Sequence, residues 1–79
     1  MEDCKIDRKL NIKGEVCPYT FVLSKLALEE MDSGQLLEVL LDHEPATINV
    51  PRSMESEGHK VLEIIKINDT DWTITVRRA

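Results

Sequence analysis

Residues 36–41 read LLEVLL, a nearly continuous apolar run broken by one glutamate. Such a run fits a strand buried on both sides, or one central in a sheet. The remainder of the chain must therefore supply its neighbours and its cover. With 79 residues and a mass of 9.0 kDa, there is room for one small domain and for little elaboration outside its core.

The flanking patterns supply those neighbours. In residues 5–12, Ile6, Arg8, Leu10 and Ile12 share one face, with charged residues between them, so an edge strand is expected. Residues 13–16 form a short turn containing Gly14. From Pro18 to about Ser33 the period becomes helical. Tyr19, Val22, Leu23, Leu26, Ala27 and Met31 form a broad apolar face, with Lys25, Glu29 and Asp32 opposite. Pro18 suits the first helical turn, and Gly34 is placed as the residue that ends the helix. At 1.5 Å per residue that helix would be about 24 Å long. A weaker helical stretch covers about residues 46–57, with Ile48, Val50 and Met54 as core contacts and Gly58 as its end. Pro51 inside it requires a late start or irregular first turns. Residues 60–67 (KVLEIIKI) form a third strand, and 68–71 (NDTD) a turn. In residues 72–77, Trp72, Ile74 and Val76 alternate with polar neighbours. The last two strands should form an antiparallel hairpin.

The order is β-α-β-α-β-β. The expected fold is α+β, a two-layer α/β sandwich in which a four-stranded mixed sheet carries both helices on one face. Residues 1–79 make a single domain, with 1–4 as a flexible leader.

Composition narrows the function. Hydrophobic residues are 42% and charged residues 32%, which suits a globular chain. Ten Lys and Arg against 15 Asp and Glu give a net charge of −5, which disfavours nucleic-acid binding through a basic face. No apolar run approaches a membrane span, and the N-terminus lacks the apolar core of a signal peptide, so the cytoplasm is expected. Two cysteines, Cys4 and Cys17, are too few for a disulfide scaffold. His43 and His59 are too far apart in sequence to read as a zinc motif, and no metal or cofactor is expected.

The chemically informative segment is Gly14-Glu15-Val16-Cys17-Pro18-Tyr19-Thr20. A cysteine directly before a helix-initiating proline sits at or beside the N-cap, where leading N–H groups and the macrodipole favour an anion. Both lower a thiol pKa and would stabilise a persulfide anion. Gly14 lets the turn bend. Lys13 could add positive charge, and Glu15 opposes it. A plain buried cysteine is the competing reading on position alone.

Residues 10–34, LNIKGEVCPYTFVLSKLALEEMDSG, resemble the TusA/SirA-like sulfur-carrier family, in which a strand and a glycine turn lead to C-P-x-P at the head of a helix. QLLEVLLD (35–42), Pro45-Ala46, Ile48-Asn49-Val50-Pro51 and Gly58-His59 extend the resemblance to about residues 5–77. It implies the same fold. It also implies that Cys17 accepts sulfur as a persulfide from a cysteine desulfurase or similar donor and relays it to an acceptor, for tRNA thiolation or other sulfur metabolism. Gly14, Pro18 and Lys13 would be supporting residues. Two positions depart from the family pattern: Thr20 replaces the second motif proline, and Asn11 replaces an aspartate.

A non-catalytic binding module of the same fold, with Cys17 structural, is the alternative that Thr20 keeps open. An RNA-binding domain is disfavoured by the charge and by the single Phe, Tyr and Trp. Cys4 reads either as a resolving thiol or as an incidental exposed residue. His59 reads as a turn histidine or a partner contact. Lys25 and Arg52 could join Lys13 near Cys17 or be solvated charges. Trp72, Met31 and Met54 read as core.

Overall fold

A computed structural model of the chain describes residues 6–16 and 19–79. The elements are β1 (Arg8–Asn11), α1 (Tyr19–Glu29), β2 (Leu36–Leu41), α2 (Ala46–Ser56), β3 (Lys60–Lys66) and β4 (Trp72–Arg77). The sheet order is β1-β2-β4-β3. β1 runs parallel to β2, and β4 is antiparallel to both β2 and β3. The expected two-layer α+β sandwich is therefore present, with the LLEVLL strand inside the sheet and β1 at one edge.

The cross-strand register explains which half of β2 is buried. Leu37 stands opposite Val76, Val39 opposite Ile74 and Leu41 opposite Trp72. Leu37, Val39, Leu41, Ile74 and Val76 have no exposed surface, whereas Leu36, Glu38 and Leu40 on the other sheet face are half-buried. β2 is thus central but covered on one side only, and the helices take that side.

Helix α1 presents a different face from the one its apolar pattern suggests. Thr20, Ser24, Ala27 and Leu28 are buried. Tyr19, Val22 and Leu26, expected in the core, are 59%, 41% and 51% exposed. The buried set at i, i+4, i+7 and i+8 is mostly small, which lets the helix lie close on the sheet. The Ser24 hydroxyl donates to the Thr20 carbonyl at 2.8 Å, so its burial leaves that donor paired.

The helix is also shorter than expected, 11 residues ending at Glu29. Gly34 does not end it. The Glu30 and Met31 amides fold back on Ala27 and Leu28 at 3.2 and 3.0 Å, and Met31 turns into the core. Arg78 Nε donates to the Leu28 carbonyl at 2.7 Å, and the Gly34 amide donates to the Arg78 carbonyl at 2.8 Å. Tertiary bonds from the far end of the chain outcompete one more helical turn.

Helix α2 begins with short-range bonds, Ala46 to His43 and Thr47 to Glu44, both 2.9 Å. That is the irregular first turn Pro51 called for. Pro51, Val50 and Met54 are buried, but Ile48 is 65% exposed and makes no core contact, contrary to expectation. Gly58, at φ +96°, closes the helix. Its amide reaches the Glu55 carbonyl at 3.0 Å, and the His59 amide reaches that of Met54 at 3.1 Å, the paired bonds of a Schellman end.

Candidate functional site

β1, β2 and α1 bring the informative turn to one end of the sheet. Ile12 is buried and its amide donates to the Leu40 carbonyl at 2.8 Å, so the chain leaves β1 anchored to β2. The Asn11 side-chain oxygen accepts the Lys13 amide at 3.0 Å, closing an Asx turn. An asparagine oxygen serves there as well as an aspartate oxygen, which accounts for Asn11 at the position where the family pattern has aspartate. Gly14 has φ +93°, a conformation that strains any residue with a Cβ. Its amide donates to Asp42 Oδ1 at 2.9 Å, and the Glu15 amide returns to the Ile12 carbonyl at 3.1 Å. The Val16 carbonyl then accepts the amides of Tyr19 and Thr20 at 2.8 and 3.3 Å and starts α1.

Lys13 reaches across this end to Asp71, with Nζ 3.0 Å from Oδ2. Asp71 is buried, and Asn68 Nδ2 donates to the same oxygen at 3.1 Å while Thr70 Oγ1 donates to Oδ1 at 3.1 Å. The Asn68 hydrogen bond, then Lys13, hold the Asp71 carboxyl below its ordinary value of 3.8, against the opposing effect of burial. A depressed carboxyl contributes stability that is complete above its unfolded pKa and is lost as pH falls through the folded value. Asp71→Asn should accordingly lose less stability than the parent between about pH 5 and about pH 3. Urea midpoints at the two pH values check this, and identical losses would show that Asp71 is not linked to folding.

Of the site residues expected from sequence, Gly14 and Lys13 occupy this loop. Cys17 and Pro18 lie outside the described residues, as do Cys4 and the leader. The charge of Lys13 is committed to Asp71 instead of standing uncompensated at the helix mouth. The Tyr19 and Thr20 amides are likewise taken by Val16, so the set of free donors at the helix start is smaller than the sequence suggested. Thr20 is fully buried and belongs to the helix–sheet interface. Lys25 pairs with Glu57 at 3.4 Å, at the end of α2 remote from the loop. Arg52 lines a shallow groove between the helices with Phe21, Ser53, Ser56 and Glu57. Neither joins Lys13.

His59 accepts the Ala79 amide on Nδ1 at 3.0 Å, a structural role. Trp72 packs against the core, with Lys66 Nζ 5.6 Å from its ring centroid. Met31 and Met54 are buried in the core, as expected.

Sequence reasoning missed Asp42 and Asp71 as loop anchors. Asp42 closes the QLLEVLLD segment and Asp71 the NDTD turn, and no local pattern signals contacts 28 and 58 residues away. It also missed an exposed apolar stripe, Val16, Tyr19, Val22 and Leu26, which runs from the loop along α1. Among the described residues no cluster of His, Cys, Asp or Glu could hold a metal ion, and no helix is long and apolar enough to cross a membrane.

Comparison with known proteins agrees with this geometry. The family model of sulfurtransferase TusA matches residues 8–78. A candidate sulfur carrier protein of Archaeoglobus fulgidus is 54% identical over 69 residues, covering 87% of this chain and 78% of that protein. TsuB, a candidate sulfur carrier protein of Escherichia coli K12, is 38% identical over 72 residues, covering 91% of this chain and 96% of its own. The crystal structure of a SirA-like protein from Desulfitobacterium hafniense superposes with a TM-score of 0.79 at 24% identity, over 89% of this chain and 95% of that one, and shares the fold. With a match spanning nearly every described residue from β1 to the end of β4, this chain belongs to the TusA sulfurtransferase family.

Proposed function

We propose that the protein carries sulfur as a persulfide on Cys17, received from a donor protein such as a cysteine desulfurase and passed to a downstream acceptor. The observation that carries this reading is the loop at residues 11–16. In it the amides of Ile12, Lys13, Gly14 and Glu15 are all hydrogen-bonded, and it leads directly into Cys17-Pro18 in a chain of the TusA family. In the loading step the Cys17 thiolate attacks the terminal sulfur of a donor persulfide. A new S–S bond forms on Cys17, the donor S–S bond breaks, and the donor cysteine leaves as thiolate. At the acceptor an acceptor thiolate attacks the terminal sulfur of the Cys17 persulfide, the S–S bond on Cys17 breaks, and Cys17 leaves as thiolate, ready to be loaded again. Gly14, with its positive φ, and Lys13 shape the approach. A free thiol doing this work fits the reducing cytoplasm.

The partner needs a surface to dock on. The stripe of Val16, Tyr19, Val22 and Leu26 supplies one beside the loop, with the exposed acid Glu15 next to its head. A donor or acceptor with an apolar patch rimmed by basic residues fits it. The module reading drew on Thr20; burial of that residue in the helix–sheet interface makes the departure a matter of packing and leaves the exposed surface unchanged.

The test is intact mass spectrometry after mixing reduced protein with a cysteine desulfurase, pyridoxal phosphate and cysteine. A gain of about 32 Da per sulfur, removed by reductant, is expected. No gain with this donor, thiosulfate or polysulfide would refute the carrier reading.

A further inference from the structure

Asp71 is the one buried carboxylate among the described residues. Burying a charge costs solvation, and apolar residues commonly replace a buried ion pair without loss of stability. Within the β3–β4 turn, Asn68 Oδ1 accepts the amides of Thr70 and Asp71, both at 2.9 Å, and the Asp71 carboxylate accepts Asn68 Nδ2 and Thr70 Oγ1, both at 3.1 Å. Beyond its own turn, the same carboxylate holds Lys13, with Nζ 3.0 Å from Oδ2. Asp42, at the other side, holds the Gly14 amide. Of the four successive loop amides at residues 12–15, the one on Gly14 is paired with a side chain outside the loop and β1, and that residue has the positive φ. The two carboxylates come from the end of β2 and the start of β4. Together they grip adjacent residues of one loop from separate strands.

We propose that Asp42 and Asp71 are positioning residues for sulfur transfer. Acting through Gly14 and Lys13, they fix the loop so that the following cysteine meets a protein donor in one orientation. This rests on the sulfur-carrier reading and adds two residues to it.

The test compares initial rates of persulfide gain from a cysteine desulfurase, at subsaturating protein, for the parent and for Asp42→Ala, Asp42→Asn and Asp71→Ala. Circular dichroism confirms that each is folded. Asp42→Asn keeps an acceptor oxygen for Gly14; Asp42→Ala does not. Loading should fall about tenfold in Asp42→Ala and Asp71→Ala and stay within about twofold of the parent in Asp42→Asn. A purely structural role would lower the unfolding temperature without separating Asn from Ala in rate. Parent-like loading in Asp42→Ala, or an equal fall in Asp42→Asn, overturns the proposal. If Asp42→Ala does not fold, Asp71→Ala decides it by the same rate criterion.

If the parent itself takes up no sulfur, the carrier reading has failed separately. The rate constant for monobromobimane on Cys17 then judges the anchoring. It should change in Asp42→Ala and hold in Asp42→Asn, and equal rates in all three proteins overturn the proposal.

Discussion

Leu28→Ala should lower the melting temperature by about 12–24 °C. A fully buried leucine cut to alanine loses its transfer free energy and leaves a cavity, about 3 kcal/mol in all, and a domain of this size moves about 4–8 °C per kcal/mol. Leu28 is 1% exposed, in contact with the core between α1 and the sheet. Leu26→Ala, two positions earlier, should change stability by no more than about 0.5 kcal/mol, because its side chain is half in water and alanine is the better helix former. Thermal unfolding by circular dichroism measures both. Equal losses would mean that Leu26 is buried as deeply as Leu28, and the docking stripe would not be exposed along its length.

Cys17→Ser should abolish persulfide gain altogether, while Cys4→Ser should load like the parent. The loss is complete because the serine hydroxyl, with a pKa far above that of a thiol, offers no soft anion to attack sulfur. Cys4, the other cysteine, lies thirteen positions upstream in sequence and outside the motif. The mass shift per variant decides this, with peptide mapping of the loaded parent to locate the sulfur. Loading that survives in Cys17→Ser and disappears in Cys4→Ser would move the site to the N-terminal segment.

The order of elements was legible because each switch of hydrophobic period is local: alternation in β4, a helical stripe in α1, an apolar run in β2. Gly58 was equally readable as an end, since a glycine after a helical stripe is a local signal. The facing of α1 was not. Its apolar residues span more than half its circumference, so pattern alone could not choose between the side of Leu26 and that of Leu28. Three small residues, Thr20, Ser24 and Ala27, decide it by allowing close approach to the sheet. Ile48 misled in the same way, as an apolar residue at helical spacing that faces water. The cysteine and its loop were visible in the motif, and so was the glycine at its bend. The anchors were not, because Asp42 and Asp71 act across distances in sequence that only the assembled sheet closes.

Those distances bear on how the protein comes into being. Local hydrogen bonds can shape residues 11–15 early, but the Asp42 contact spans 28 positions and the Asp71 contact 58. Contacts of that span form late, after the entropy of closing long loops has been offset by the sheet itself. Asp71 immediately precedes β4, the strand that fills the gap between β2 and β3. In a chain still leaving the ribosome, with β4 not yet inserted, Lys13 lacks its Asp71 partner and the loop is only partly fastened. On the proposed sulfur-carrier reading, competence for transfer arrives with β4, and half-made molecules are poor recipients of a reactive sulfur.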